Sequence, residues 1–264
     1  MALPRFFVHS SSEAPFSVGA TVTPCLASQD MHHLSRVMRI RVGEEMELVL
    51  RDSWNVYRVV VESLTDDTLT AKVEEEMLLP RRPYMLSLVF GLSKGGKNDS
   101  IVRQAVEIGA DRLMPALFER TVTKLDEKKA SARRARLQSI AQSAAQQSHR
   151  ISVPEVYMPG TLTDLEDEFS EVDHLFVLWE ESEPIPLSKA IEEHVSGSDG
   201  NVMFVIGPEG GISSDEIEYL KRFGAIVCSL GATILRVDTA NAVALGVAVD
   251  TLTRIELRNE GNRS

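Results

Sequence analysis

The chain has 264 residues, 43% of them hydrophobic, and a net charge of −11 at neutral pH. It contains no run of about 18 apolar residues, which argues against a membrane-spanning helix, and its N-terminus lacks the apolar centre of a signal peptide. Only two cysteines occur, Cys25 and Cys228, so a disulfide framework is excluded and a reducing, cytoplasmic setting is expected.

The length suits one large domain or two smaller ones. Charge is distributed unevenly: residues 1–93 carry −3, residues 94–150 carry +6 and residues 151–264 carry −14. A basic middle between acidic flanks suits a local phosphate-binding surface; an arginine-rich solvated helix is the competing reading.

The N-terminal part reads as β-rich after one short helix. Asp30 is placed to cap a helix through residue 39, with His33, Arg36 and Arg39 on one side of it as phosphate contacts or as a merely exposed basic face. Alternating strands are expected over 47–50, 56–63 and 68–75, broken by turn-like residues 51–53 and 65–67, and together they suggest a compact barrel. Residues 79–83, with two prolines, read as a linker.

Beyond the linker, strands alternate with helices. Strands are expected over 85–92, 113–118, 174–179, 202–206 and 225–230, apolar enough to be buried in a parallel sheet. Helices are expected from Asp99 or Ser100 to residue 108, closed by Gly109, then over 131–148 and 187–194. Two more follow: one capped by Ser213 or Ser214, with Glu216 in capping-box spacing, and a last one capped by Asp238 or Thr239. This is an α/β domain of about five core strands. Strand and helix order alone leads to an unknotted doubly wound sheet.

Two of these strands end in glycine turns: Gly207-Pro208-Glu209-Gly210-Gly211, and Gly231 followed by residues 232–237. Glycine turns at neighbouring strand ends mark a ligand crevice, although the dinucleotide fingerprint G-x-G-x-x-G is absent. A rival motif, residues 91–98, nearly matches the phosphate loop G-x-x-x-x-G-K-[ST], but Asn98 stands where a magnesium-binding hydroxyl belongs. Lys94 and Lys97 there read as free phosphate contacts. Glu180, Glu181 and Glu183 read as a solvated acidic patch, and no H-E-x-x-H or comparable metal cluster occurs. Glycine loops, cations and no evident nucleophile suit a transferase whose cofactor carries the reactive group.

Gly207-Pro208-Glu209-Gly210-Gly211-Ile212-Ser213, followed by Glu216, resembles the signature of the RsmE family, bacterial S-adenosylmethionine-dependent methyltransferases of the SPOUT class that modify N3 of a uridine in 16S ribosomal RNA. Leu230-Gly231 with Ile234-Leu235-Arg236 and Thr239 is similar to that family's second cofactor loop. Lys94, Lys97, residues 107–109, residues 118–120 and Gln147-Ser148 with Arg150 are similar to its middle motifs, and residues 33–39 to its N-terminal H-L-x-R-V-x-R pattern.

The resemblance implies a PUA-like β-barrel over residues 1–78 and a SPOUT domain with a C-terminal trefoil knot over residues 79–264. It also implies a homodimer and no membrane partner. It implies S-adenosylmethionine held by Leu178, Ile206, Gly207, Pro208, Glu209, Gly210, Gly211, Leu230, Gly231, Ile234, Leu235 and Thr239. RNA would be met by Arg36, Arg39, Lys94, Lys97, Arg120 and Arg150, and no metal is implied. Three positions depart from the family pattern: Thr233 in place of arginine, Asp238 in place of glutamate, and Ser152 in place of a second arginine. Arg236 is expected either to stabilise negative charge on the uracil edge or to hold the loop or a cofactor carboxylate. A phosphate-loop NTPase and a non-catalytic RNA-binding ribosome factor are the alternative functions.

Overall fold

The computed structural model describes residues 3–9, 16–51, 53, 55–122, 125–180, 185–197 and 200–261; Glu181 and Glu183 of the acidic patch lie outside them. The chain divides into two compact units, Met1–Arg81 with Ala145–Val153, and Arg82–Ala144 with Pro154–Ser264. The sequence predicts two continuous domains, 1–78 and 79–264, whereas residues 145–153 return to the first unit.

The first unit is built on a mixed five-stranded sheet. β1 (Arg5–Val8) pairs in parallel with β3 (Glu45–Leu50), and β2 (Thr21–Val22) pairs antiparallel with β5 (Leu69–Met77). β3, β4 (Val56–Leu64) and β5 form an antiparallel meander, and one bridge, His9 to Cys25, joins the extensions of the two edge strands. The period-2 pattern sets the core: Tyr57, Val59 and Val61 of β4 and Leu69, Ala71 and Val73 of β5 pack with Phe6, Met46 and Leu48. Arg5 is buried in β1. It pairs with Glu47 at 2.7 Å and donates to the carbonyls of His149 and Arg150, which ties residues 145–153 to the sheet.

α1 (Ser28–His32) starts earlier than expected. Ala27 occupies its N-cap, and Asp30 lies inside the first turn, buried, where its carboxylate accepts from Gln146 Nε2 at 3.0 Å. Residues His33–Met38 then form a π-helical turn that ends at Arg39, whose φ of 54° is left-handed. The wider turn carries residues three apart further round the axis, so His33, Arg36 and Arg39 lose the common side that α-helical spacing gave them.

The second unit alternates strands and helices: β6 (Tyr84–Gly91), α2 (Lys97–Ile108), β7 (Arg112–Leu117), α3 (Glu127–Gln147, whose last residues belong to the first unit), β8 (Glu155–Val156), β9 (Gly160–Thr161), α4 (Glu166–Ser170), β10 (His174–Leu178), β11 (Ile185–Pro186), α5 (Leu187–His194), β12 (Gly200–Ile206), α6 (Ser214–Lys221), β13 (Ile226–Ser229) and α7 (Val237–Gly261). The strands pair in parallel in the order β11-β13-β10-β12-β6-β7-β8, with β9 also on β7. α2 is capped at Gly96 rather than at Asp99 or Ser100, and α7 begins at Val237, so Asp238 sits in its first turn.

Both faces of the sheet are covered, which is why its strands read as unbroken apolar runs. Met203 and Val205 of β12 join the core of one face with Val89, Met114 and Ile217. Phe204 points the other way and stacks on Phe176 of β10, with ring centroids 5.4 Å apart. α7 packs against α2, α5 and β12. β12 is inserted between β6 and β10, two strands formed earlier in the chain, and this insertion brings the glycine turn to the middle of the sheet.

Candidate cofactor crevice and the adjoining pocket

Register brings the strand ends together. Leu178, the last residue of β10, lies opposite Ile206 of β12 and Cys228 of β13, and Ile206 lies opposite Phe90 of β6. The turn 207–211 and the loop 230–236 therefore leave the sheet near one another, on either side of residues 179–180, at the carboxyl ends where parallel sheets bind ligands. Burial pushes the Cys228 thiol up to about 12, so it is a protonated packing group rather than a nucleophile.

The turn after β12 is locked by its surroundings. A Cβ on Gly207 would lie 2.6 Å from Ile212 Cγ1, and one on Gly210 would lie 2.8 Å from Arg120 Cβ. Gly211, at φ 76°, leaves 3.0 Å between such a Cβ and Glu180 Oε1. The end of β6 comes closer still, since a Cβ on Gly91 would stand 2.1 Å from Pro208 N. Trp179 Nε1 donates to Ile212 O at 3.1 Å. The capping box forms as the sequence predicts, with Ser213 and Glu216 bonded reciprocally, and Glu216 Oε1 also accepts from Glu119 N at 2.7 Å. One carboxylate thus caps α6 and ties the loop after β7 to the turn, a stabilisation of about 1 kcal/mol for the cap alone.

The loop after β13 is open. Leu230 and Leu235 are half-buried, while Gly231, Thr233, Arg236 and Thr239 are exposed and Ile234 is 85% exposed. Gly231 has φ 111°, and nothing lies within 4 Å of where its Cβ would be. At the start of α7, Asp238 Oδ1 and Asn241 Oδ1 are buried without a hydrogen-bond partner, while Asn241 Nδ2 donates to Val237 O at 2.7 Å. Exposed apolar side chains beside an open glycine backbone fit a ligand with a flat ring, as an adenosine has.

Asn98 is not a degraded magnesium ligand. It is buried, its Oδ1 accepts from Ser93 N at 3.0 Å and its Nδ2 donates to Ser93 O at 2.8 Å. The amide closes the loop on itself and uses a backbone N–H that a phosphate cradle would need. Lys97 does not reach freely into solvent either: its Nζ pairs with Glu209 Oε1 at 2.7 Å.

That pair borders a pocket lined by Leu92, Lys94, Arg120, Val122, Pro208, Glu209 and Gly210. The pocket lies on the β6–β7 side of the glycine turn, whereas the loop 230–236 lies on the β10–β13 side. Arg120 Nη1 donates to Gly210 O at 3.2 Å. Burial alone would raise the Glu209 carboxyl, but the hydrogen bond and charge of Lys97, with the turn backbone, hold it below the usual range. Glu209 is therefore ionised at neutral pH.

The remaining cations belong to the first unit. Arg36 is exposed in the first unit and pairs with Asp66 at 3.0 Å; Arg39 is exposed beside it in sequence; Arg150 belongs to the same unit and is half-buried. Sequence reasoning missed Gly91, Asn98 and Trp179 as parts of the site. The first two were legible only as a phosphate-loop-like run, and the tryptophan carried no signal beyond its place after a strand.

The family described as RNA methyltransferase domain matches residues 80–249. The chain is similar to ribosomal RNA small subunit methyltransferase E of Bacillus subtilis, 31% identical over 247 residues that cover 91% of this chain and 94% of the relative. It is 34% identical over 226 residues to the protein of the same name from Mycobacterium bovis, covering 84% and 83%. Among solved structures, ribosomal RNA small subunit methyltransferase E from Neisseria gonorrhoeae bound to S-adenosyl methionine matches with a TM-score of 0.79 and 27% identity, over 95% of this chain and 98% of that one.

Proposed function

Since the chain belongs to the ribosomal RNA small subunit methyltransferase E family, we propose that it methylates N3 of a uridine in small-subunit ribosomal RNA, using S-adenosylmethionine. The observation that carries this reading is the walled-in glycine turn 207–211 at the aligned ends of β10, β12 and β13, with the open loop of Gly231 beside it.

When bound, the cofactor supplies an electrophilic methyl group that needs positioning more than activation. The backbone of residues 207–211 and of Leu230-Gly231 approaches it, Leu178, Ile206, Ile234 and Leu235 cover its apolar parts, and Thr239 completes the loop side. Arg236, exposed at the N-terminus of α7, stabilises the charge that develops on the uracil edge, helped by the helix dipole. Arg36, Arg39, Lys94, Lys97, Arg120 and Arg150 meet the RNA, which is small-subunit ribosomal RNA within the assembled or nearly assembled subunit. The first unit serves as a PUA-like barrel for RNA. The C-terminal segment is tied in a trefoil knot through which two chains pair as a homodimer, and the enzyme works in the cytoplasm. Asn98 closes the phosphate-loop-like stretch, which disfavours the NTPase reading.

The test is methyl transfer from S-adenosylmethionine to small ribosomal subunits that lack the modification, read by nucleoside mass spectrometry. The expected product is N3-methyluridine at one position. Transfer to another base or atom would contradict the assignment.

A further inference from the structure

The pocket on the β6–β7 side of the glycine turn shares residues 208–210 with the cofactor crevice, and its other walls carry a chemistry of their own. Its walls include Leu92, Val122 and Pro208, which suit the faces of a planar ring. Also in its lining are two cations, Lys94 and Arg120, and one carboxylate, Glu209, which Lys97 Nζ holds at 2.7 Å. Lys97 and Glu209 belong to elements far apart in the chain, the start of α2 and the turn after β12, so the pair is made by the fold.

The Watson–Crick edge of uracil presents an acceptor, a donor and an acceptor: O2, N3–H and O4. A carboxylate that lines one pocket with an ammonium and a guanidinium group offers the complementary chemistry, since ionised Glu only accepts and Lys and Arg only donate. Cytosine has an unprotonated N3 and would set a lone pair against the carboxylate. A site built to bond a substrate N–H rejects the analogue that lacks it. We infer that this pocket takes the flipped target uracil by its Watson–Crick edge, and that the Glu209 carboxylate accepts the N3–H hydrogen bond and then the N3 proton during methyl transfer.

The inference rests on the methyltransferase reading above and supplies the general base that reading lacks. The atoms balance. The N3–H bond breaks and its proton goes to Glu209. The N3 electron pair forms the bond to the methyl carbon, and the pair of the breaking S–CH₃ bond stays on sulfur. Uracil begins and ends neutral, the sulfonium becomes a thioether and the carboxylate becomes a carboxylic acid. Glu209 belongs to the turn 207–211, which this pocket shares with the cofactor crevice on its other side. Covering the carboxylate with a base removes water from it, which raises its basicity at the moment it is needed.

The test uses Glu209→Gln, which keeps shape and an acceptor oxygen but has no carboxylate to take the proton. Single-turnover methyl transfer to small subunits is measured at saturating RNA and cofactor across pH, beside cofactor binding by calorimetry. The expected result is a saturated rate lower by roughly 10²-fold or more, the scale of a positioned base, with cofactor affinity unchanged. The variant's rate should also climb in proportion to hydroxide, because ionisation of N3 by solvent replaces the missing base. Lys97→Met, which removes the strut but keeps the carboxylate, should lose less rate and show no such climb. A Glu209→Gln rate within about threefold of the native chain overturns the assignment alone, because a positioned base contributes far more than that. So does a fall matched by lost cofactor binding in both variants, the mark of a merely structural strut. A native chain that transfers no methyl at all overturns the methyltransferase reading and this one with it.

Discussion

In the turn after β12, the chain itself surrounds the glycines: Ile212, Arg120 and Glu180 stand where side chains on Gly207, Gly210 and Gly211 would go, and Pro208 presses on Gly91. In the loop after β13, Gly231 faces empty space and Ile234 is 85% exposed. The turn carries three glycines and the loop one, and both border the same crevice, yet only the first is shaped by internal packing. Its glycines are required by the fold before any ligand arrives. The second loop holds Gly231 at a φ that glycine adopts freely and leaves an isoleucine exposed, with no packing inside the second unit that requires either.

The largest test of this contrast is Gly91→Val. The Cβ position lies 2.1 Å from Pro208 N, a backbone atom that cannot yield, so the second unit should lose more than about 4 kcal/mol or fail to fold. Denaturant unfolding measures it, and a stable variant would mean that the turn is not packed as described.

Next in size is Arg236→Ala. The side chain is exposed and outside the packed turn, so stability should hold while the saturated methylation rate falls by roughly 10²-fold, the scale of losing one oxyanion-type donor. Cofactor affinity should fall much less. Should the variant instead lose cofactor binding and keep its saturated rate, Arg236 is a cofactor clamp.

A pair of variants then probes the open loop. Ile234→Ser should change stability by no more than about 0.5 kcal/mol, since the side chain is already in water. If the cofactor covers that side chain, the same change should weaken binding about tenfold, the equivalent of about 1.4 kcal/mol of apolar burial. Gly231→Val should cost about 1–3 kcal/mol of stability for its φ and remove cofactor binding while the protein stays folded. Equal affinity in both variants and the native chain would erase the contrast between the loops.

The smallest effect concerns pH. Glu209 has its carboxyl held below the usual range when folded, so its contribution is present above the ordinary glutamate value and is lost as pH falls through the lowered one. Both partners of the Lys97–Glu209 pair are 44% exposed, so the slope is shallow. Lys97→Met should flatten it in acid unfolding curves.

Legibility in the sequence followed the range of the interactions. The capping box at Ser213 and Glu216, the helix Leu187–His194 and the buried parallel strands were readable because a few neighbouring residues determine them. Asp30 and Asp99 misled because a good capping residue one turn inside a helix looks the same in sequence as one at its start; buried packing and Gln146 decided Asp30. The π-turn at His33–Met38 leaves no compositional mark, so the basic triplet was placed on one side of an α-helix that does not continue there. Asn98 looked like a defect in a phosphate motif because its partner, the Ser93 backbone, is visible only after folding. The insertion of β12 between β6 and β10, and the return of residues 145–153 to β1, depend on contacts across more than a hundred residues and have no local signature.

The most direct test of the account is calorimetric titration of the native chain with S-adenosylmethionine, with ATP titrated in parallel. The crevice between the locked turn and the open loop should bind S-adenosylmethionine at one site per chain, and ATP should give no heat at the same concentrations. No binding of S-adenosylmethionine, or tighter binding of ATP, would contradict the assignment of the two loops to this cofactor.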